Sequence, residues 1–436
     1  MQADPAMPTG GAVTSSRRLS GARTSTATPS LDKSDIVAVR IITTLLVASV
    51  VMQKIVMPVG GGIFYVDLLV QYCGLGALLI FGKLRLSALR VVLYVLTFGT
   101  AVVLQISFIH DASYTSMLLA MAIYATYIGV VPASRETYMR ILTNFQLTSI
   151  AVCVLVYLDM ILQVVGVGMP DMNKVVPAAL LDHSMVYLQP IVYGSSINKP
   201  NAFFFLEASV TSQFVALGLI IELAFFRRLT VIIAMTVGVL LTFSGTGIVL
   251  VMTSLPIIGR KHWRQMLISG VIGLPILAGV ASATGWVDIV ENRLNSSSRE
   301  HSSFSERFVL PYTAMWDLAA NGSEKDILAG LGAGATMRIT ENAEYNAIPR
   351  AFLEYGLIFC VLFAIYTTYC FFGTGVPFIC GWLAFIHYNF LAGNFHLSSA
   401  VNFAFVLAGG YAIETFTPHR QGRFVPASAA AFDRDF

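Results

Sequence analysis

Residues 229–258 read LTVIIAMTVGVLLTFSGTGIVLVMTSLPII. The stretch is long for one membrane crossing and short for two, since a helix needs about 20 residues to span the hydrocarbon. Arg227 and Arg228 precede it; Arg260, Lys261 and Arg264 follow it. Basic connections favour the cytoplasmic side, so the chain has to return to the side it left. Ser244-Gly245-Thr246-Gly247 lies at the middle and supplies a turn. The segment therefore reads as a hairpin of two short helices. A turn at membrane depth is tolerated only inside protein or beside a water-filled cavity.

The same pattern extends in both directions. The chain of 436 residues is 56% hydrophobic and 12% charged, against roughly 25% charged in a soluble domain. About twelve crossings are expected: Ile41–Pro58, Ile63–Phe81, Val91–Ile109, Met117–Val131, Ile141–Val165, Val210–Phe226, Leu229–Phe243, Ile248–Ile258, Met266–Ala283, Ala351–Phe372, Val376–Phe390 and Ala400–Phe416. Every even-numbered connection is basic. Lys83, Arg85 and Arg90 follow the second crossing, Arg135 and Arg140 the fourth, and Arg420 and Arg423 the last. With Arg17, Arg18, Arg23, Lys33 and Arg40 ahead of the first crossing, both termini are expected in the cytoplasm. The fold class is thus an all-α polytopic membrane protein. Its transmembrane domain covers residues 41–416, between a disordered Ser-, Thr-, Ala- and Pro-rich cytoplasmic tail (1–40) and a second cytoplasmic tail (417–436).

Two outer connections, about 166–207 and 285–350, exceed the roughly 15 residues beyond which a loop is usually functional or disordered. Phe203-Phe204-Phe205 and Phe308-Val309-Leu310-Pro311-Tyr312 argue for ordered caps, the second partly helical. The cysteines (Cys73, Cys153, Cys360, Cys370 and Cys380) lie in or beside apolar runs and form no CxxC pair, so neither a disulfide framework nor a cysteine-ligated metal is expected.

Ionisable groups inside spans point to pairing or to function. Lys54 and Asp67 flank Gly60-Gly61-Gly62, and a mutual ion pair is the first expectation for them. Asp159 has no evident partner, and Glu222 is expected to pair with Arg227 or Arg228. Toward the outer ends, Glu207 opens the sixth span after Asn198-Lys199-Pro200-Asn201, and Glu354 lies four residues after Arg350, at helical pairing distance. His387, Asn389, Asn394 and His396 cluster at the outer end of the eleventh span; two histidines nine residues apart are no helical metal pattern. The large loop carries Arg293, Arg299, His301, Arg307 and Arg338 but more acids than bases, which excludes a nucleic-acid patch. Several arginines near a membrane surface suit a pyrophosphate, which their forked geometry grips. Gly330, Gly332 and Gly334, in Ile327 through Gly334, offer small residues and backbone amides that could form an anion nest. Tight helix packing explains the run equally well.

Two blocks carry a resemblance. Asn201 through Thr246 holds an aromatic-Leu-Glu-x-Ser opening, a long span, a basic turn and a Ser-x-Thr-Gly turn. Arg307 through Gly356 holds an arginine, Trp316, the Gly-x-Gly-x-Gly run, Asn346 and Glu354-Tyr355-Gly356. Their order resembles the Wzy polymerase and O-antigen ligase-like family of bacterial envelope enzymes over about a quarter of the chain. Ligase-type members place a histidine directly before the asparagine; here Tyr345 precedes Asn346, which looks more like the polymerase branch, especially exopolysaccharide polymerases. The resemblance implies a metal-independent inverting glycosyltransferase of the bacterial inner membrane, without cofactor. Its partners would be membrane lipids, a chain-length regulator, and donor and acceptor glycans on undecaprenyl pyrophosphate; nucleic acid has no part. Arg307 and Arg350 would stabilise the departing pyrophosphate, with Arg338 or Arg299 in reserve. Glu207, Glu354 or His301 would take the acceptor proton. Gly330, Gly332 and Gly334 would shape the backbone near the phosphates, and Lys199 and Asn346 complete the substrate-binding set. Competing expectations are an O-antigen ligase-type transfer of a finished glycan, a polysaccharide transporter or flippase, and a non-catalytic assembly subunit.

Overall fold

Apolar runs bounded by short polar turns dictate helices, and the chain is mostly helical. The computed structural model describes residues 33–59, 62–169, 172–182, 188–191, 195–259, 305–339, 345–391 and 395–413. The tails, the ninth expected crossing (Met266–Ala283), Arg293, Arg299 and His301 lie outside these residues.

Helix α1 is Lys33–Val51, so helix begins ahead of Ile41, where the tail was expected to end. Strands β1 (Val56–Val59) and β2 (Gly62–Tyr65) pair as an antiparallel hairpin, and α2 (Val66–Ile80) starts only after it. Next come β3 (Arg85–Leu86), α3 (Ala88–Phe108), α4 (Tyr114–Ala125), β4 (Gly129–Ala133) and α5 (Arg135–Val164). Helix α6 (Ala208–Ile221) continues as a π-turn through Phe226, and α7 (Leu229–Leu241) and α8 (Gly245–Gly259) form the hairpin with its turn at Ser244. Beyond residue 304 lie α9 (Leu310–Asn321), α10 (Glu324–Ala329), α11 (Thr336–Ile339), α12 (Ala347–Phe372), α13 (Phe378–Ile386) and α14 (Ser398–Ala404), then β5 (Tyr411–Ile413).

Among the described residues, four helical segments are long and apolar enough to cross a membrane: Ala88–Phe108, Arg135–Val164, Ala208–Phe226 and Ala347–Phe372. Shorter apolar helices include Val66–Ile80, Tyr114–Ile128, Leu229–Leu241, Gly245–Gly259, Phe378–Leu391 and Ser398–Gly409. In α6 the most apolar window is 83% buried, against 22% in α3. The first is the central helix of the bundle and the second is peripheral. Leu96, Val103 and Ile106 of α3, Val154 and Ile161 of α5, and Val361 and Ile365 of α12 are exposed aliphatics on otherwise packed helices. A bundle that turns such residues outward has an apolar rim, as lipid contact requires.

The two ends of the bundle differ. Strands β3, β4 and β5 form one sheet, which ties the ends of α2 and α4 to the end of the chain's last described helix. At this sheet end Arg90 is buried, donating to the carbonyls of Tyr127 (2.9 Å), Gly409 and Tyr411 (3.3 Å). It was counted among the basic residues of a solvated connection; instead it pins α3 to the sheet. The β1–β2 hairpin marks the opposite end. There the segment after α5 folds back, its Asp182 amide bonding to the Lys54 carbonyl at 3.0 Å.

Candidate functional site

The hairpin end collects the polar starts of α2, α6, α12 and α14 and the polar ends of α1 and α5. Glu207 is positioned by the segment before α6. Asp159, near the end of α5, accepts from the Asn201 amide (3.1 Å). Gln53 accepts from the Leu206 amide (3.1 Å), and Lys54 donates to the Phe203 carbonyl (3.1 Å). Between these ties Ala202 and Phe203 both have positive φ, +51° and +66°. Such backbone costs on the order of 1–3 kcal/mol per residue and persists only where its surroundings over-determine it. Asp159, whose partner the sequence left open, is thus a backbone anchor for the approach to Glu207.

Glu207 pairs with Arg307 and accepts a hydrogen bond from Ser209. Both side chains of the pair are 6% exposed. Arg350 Nε donates to Glu354 at 2.9 Å, the i,i+4 pair expected from the sequence, and Glu354 also accepts from Thr336. Asn346 joins the two pairs: its side chain donates to the Arg307 carbonyl (3.1 Å) while its own carbonyl accepts from the Arg350 amide (3.1 Å). The four charged residues therefore belong to one buried, charge-balanced constellation. His396 completes it. Burial, then the neighbouring Arg350, hold its imidazole well below the ordinary histidine range against the Ser116 backbone, so the ring is neutral at pH 7.

The glycine run does something other than cradle an anion. The Gly330 amide donates to Asp326, Leu331 to Leu353, Gly332 to Glu354, Ala333 to the Gln105 side chain and Ala335 to Gly332. These amides are spent inside the protein, so the run is a packing element, the other expectation the sequence allowed. Its job is to fill a break in α12. Gly356 has φ 81°, ψ 178° in the middle of that helix, and Gly330 has φ +79°. A Cβ on Gly330 would lie 2.6 Å from the Glu354 carbonyl, and one on Gly356 would lie 2.3 Å from the Leu328 oxygen. The two backbones cross with no room for a methyl group. Gln105 of α3, fully buried, locks the crossing by donating to the carbonyls of Ala329 (3.2 Å) and Glu354 (3.1 Å) and accepting from Ala333 (2.9 Å). The break sets the first turns of α12, with Arg350 and Glu354, apart from the rest of that helix.

The remaining expectations separate. Lys199 donates to Gln189 (3.1 Å) within a bridged loop, and Arg338 is exposed on α11. Arg299 and His301 lie outside the described residues. The expected Lys54–Asp67 pair does not form: Asp67 accepts from Ser398 of α14, while the Lys54 ammonium reaches the Phe203 carbonyl instead. Glu222 does pair with Arg228, at 2.7 Å. Sequence reading missed Gln105, Gln53 and Thr336; Ser209 entered it as the serine of the aromatic-Leu-Glu-x-Ser opening, without a role. A glutamine inside an apolar run was the available signal for Gln105.

Beside this constellation an apolar cleft of about 410 Å³ lies among Leu310, Ala314, Leu318, Leu331, Ile339 and Leu353. Leu353, which precedes Glu354 in α12, lines this cleft; none of the charged residues of the two pairs does. The described residues thus form a mostly helical bundle, with helices long and apolar enough to cross a membrane and one polar end built around two arginine–glutamate pairs. No family model matches it, and no curated protein matches it in sequence.

Proposed function

We propose that the chain polymerises oligosaccharide repeat units carried on undecaprenyl pyrophosphate, at the periplasmic face of a bacterial inner membrane. On this reading the bundle crosses the membrane about twelve times with both termini cytoplasmic, and the hairpin end faces out. The observation that carries it is the pair of buried Arg–Glu contacts, Arg307–Glu207 and Arg350–Glu354, joined through Asn346. An acceptor hydroxyl attacks the anomeric carbon of the donor glycan, whose bond to the pyrophosphate oxygen breaks with inversion. The freed pyrophosphate carries the departing electron pair, and two arginines are suited to hold it. Before donor arrives, the glutamates keep those arginines neutralised in a buried place. Once phosphate oxygens take over the guanidinium groups, a glutamate loses its counter-charge and becomes a better base for the hydroxyl proton. Neutral His396, beside Arg350, is a further candidate for that proton. The apolar cleft suits part of a prenyl chain.

Tyr345 before Asn346 favours the polymerase over a ligase-type transfer. Arg307→Ala is expected to abolish polymer while leaving the protein at its normal level; polymer of normal length would remove the pyrophosphate role. For sidedness, an alkaline phosphatase fused at Asn321 is expected to be active and one at Lys261 inactive. Activity at Lys261 would overturn the hairpin of α7 and α8 as two crossings.

A further inference from the structure

A second polar cluster lies inside the bundle, between α1, α2 and α14, and the mechanism above does not use it. Helices α2 and α14 run in the same direction, each starting at the hairpin end and leading toward the sheet end. Asp67 in the first turn of α2 is level with Ser398 in the first turn of α14, and the Ser398 hydroxyl donates to the Asp67 carboxylate. One turn deeper on each helix come Gln71 and Asn402, four residues on from Asp67 and Ser398. From the antiparallel α1, Ser49 reaches the same level and accepts from the Asn402 amide, which also donates to the Leu45 carbonyl (3.2 Å). Asp67 is 3% exposed, and Gln71, Asn402, Ser398 and Ser49 are each 1% exposed.

Three atoms of this cluster have no protein partner: both amide atoms of Gln71 and the Asn402 carbonyl oxygen. Among the described residues no basic side chain lies within ion-pair distance of Asp67. An ionised carboxylate buried among neutral groups is expensive, and so is each unsatisfied amide oxygen. A cation bound between Asp67, Ser398, Gln71, Asn402 and Ser49 answers the carboxylate and the two amide oxygens, Gln71 Oε1 and Asn402 Oδ1; the Gln71 Nε2 donor is not a ligand. One carboxylate with neutral oxygens balances a single positive charge; a divalent ion would leave net charge in a low-dielectric interior. All the candidate ligands are hard oxygen donors, which suits an alkali cation and not a thiophilic or imidazole-seeking metal.

We propose that this cluster is a binding site for a sodium-sized monovalent cation, which ties the first helical hairpin to α14. It stands independently of the glycan chemistry. The test is thermal unfolding of the purified full-length protein in detergent, in sodium, potassium or choline chloride at equal ionic strength. Sodium is expected to raise the midpoint saturably over choline, and more than potassium does. Asp67→Asn is expected to remove the sodium response. Gln71→Leu keeps the carboxylate and similar bulk, and is expected to need at least tenfold more sodium for the same shift. Equal midpoints in the three salts would overturn the proposal, as would a sodium response that survives both substitutions. A midpoint that follows pH and ignores sodium at every pH assigns the carboxyl a proton and also overturns it.

Discussion

Arg350 can be separated into its structural and chemical parts. Its Nε holds Glu354 at 2.9 Å, and Glu354 is fully buried. One oxygen of that carboxylate accepts from Arg350 and Thr336; the other has no protein partner. Replacing Arg350 by Met keeps most of the buried stem but strands a carboxylate whose single remaining donor is Thr336. Breaking a buried pair this way costs about 3–5 kcal/mol, whereas an exposed pair contributes about 0–1 kcal/mol. Arg350→Met should therefore be strongly destabilised in thermal or SDS-titration unfolding. Adding Glu354→Gln removes the stranded charge while keeping a hydrogen-bonding partner for Thr336. Most of the lost stability should return in the double variant, to within about 1 kcal/mol of wild type. Polymer should be absent in both variants, because the guanidinium needed for the pyrophosphate is missing in both. Full-length polymer from the stable double variant would show that Arg350 is a structural counter-ion and nothing more. A single variant as stable as wild type would refute the buried-pair energetics themselves.

The crossing of α12 with the glycine run gives a second set of outcomes. Gly356→Ala places a methyl against the Leu328 carbonyl in a φ region only glycine tolerates, so a loss of about 3 kcal/mol or more is expected, read as a lower unfolding midpoint. Gln105→Leu leaves the Ala329 carbonyl and the Ala333 amide unpartnered at the same crossing, while the Glu354 carbonyl keeps the Gly332 amide, and a loss of about 2–4 kcal/mol together with reduced polymer is expected. His396 is held neutral by burial and by Arg350, so its folded pKa lies below its unfolded value of about 6.5. Its stabilising contribution is complete above that value and is lost as pH falls below it toward the folded pKa. Unfolding midpoints measured from pH 7.5 down to pH 5 should therefore decline less steeply in His396→Gln than in wild type.

What the sequence made legible was local. The Arg350–Glu354 pair follows from i,i+4 spacing, and the Glu222–Arg228 pair from proximity along the chain. The turn at Ser244 follows from a glycine-containing break between two apolar runs. Long-range pairing was not legible: Glu207 and Arg307 are 100 residues apart, and nothing in the spacing joins them. The Lys54–Asp67 expectation failed for a related reason. Two charges close in sequence around a turn were assumed to face each other, while Ser398, from the far end of the chain, occupies the carboxylate. The glycine run was ambiguous because backbone amides look available until the partner that uses them is known. Here the partners are the broken turn of α12 and one glutamine of α3.

The most direct measurement is the inventory of lipid-linked sugars in cells lacking this protein, compared with the same cells carrying Arg307→Ala. Single repeat units accumulating on the undecaprenyl carrier, at the outer leaflet and in both strains, are the result expected of a polymerase whose pyrophosphate is held by Arg307. Long polymer left on the carrier would contradict it in favour of a ligase, and single units confined to the inner leaflet would contradict it in favour of a flippase.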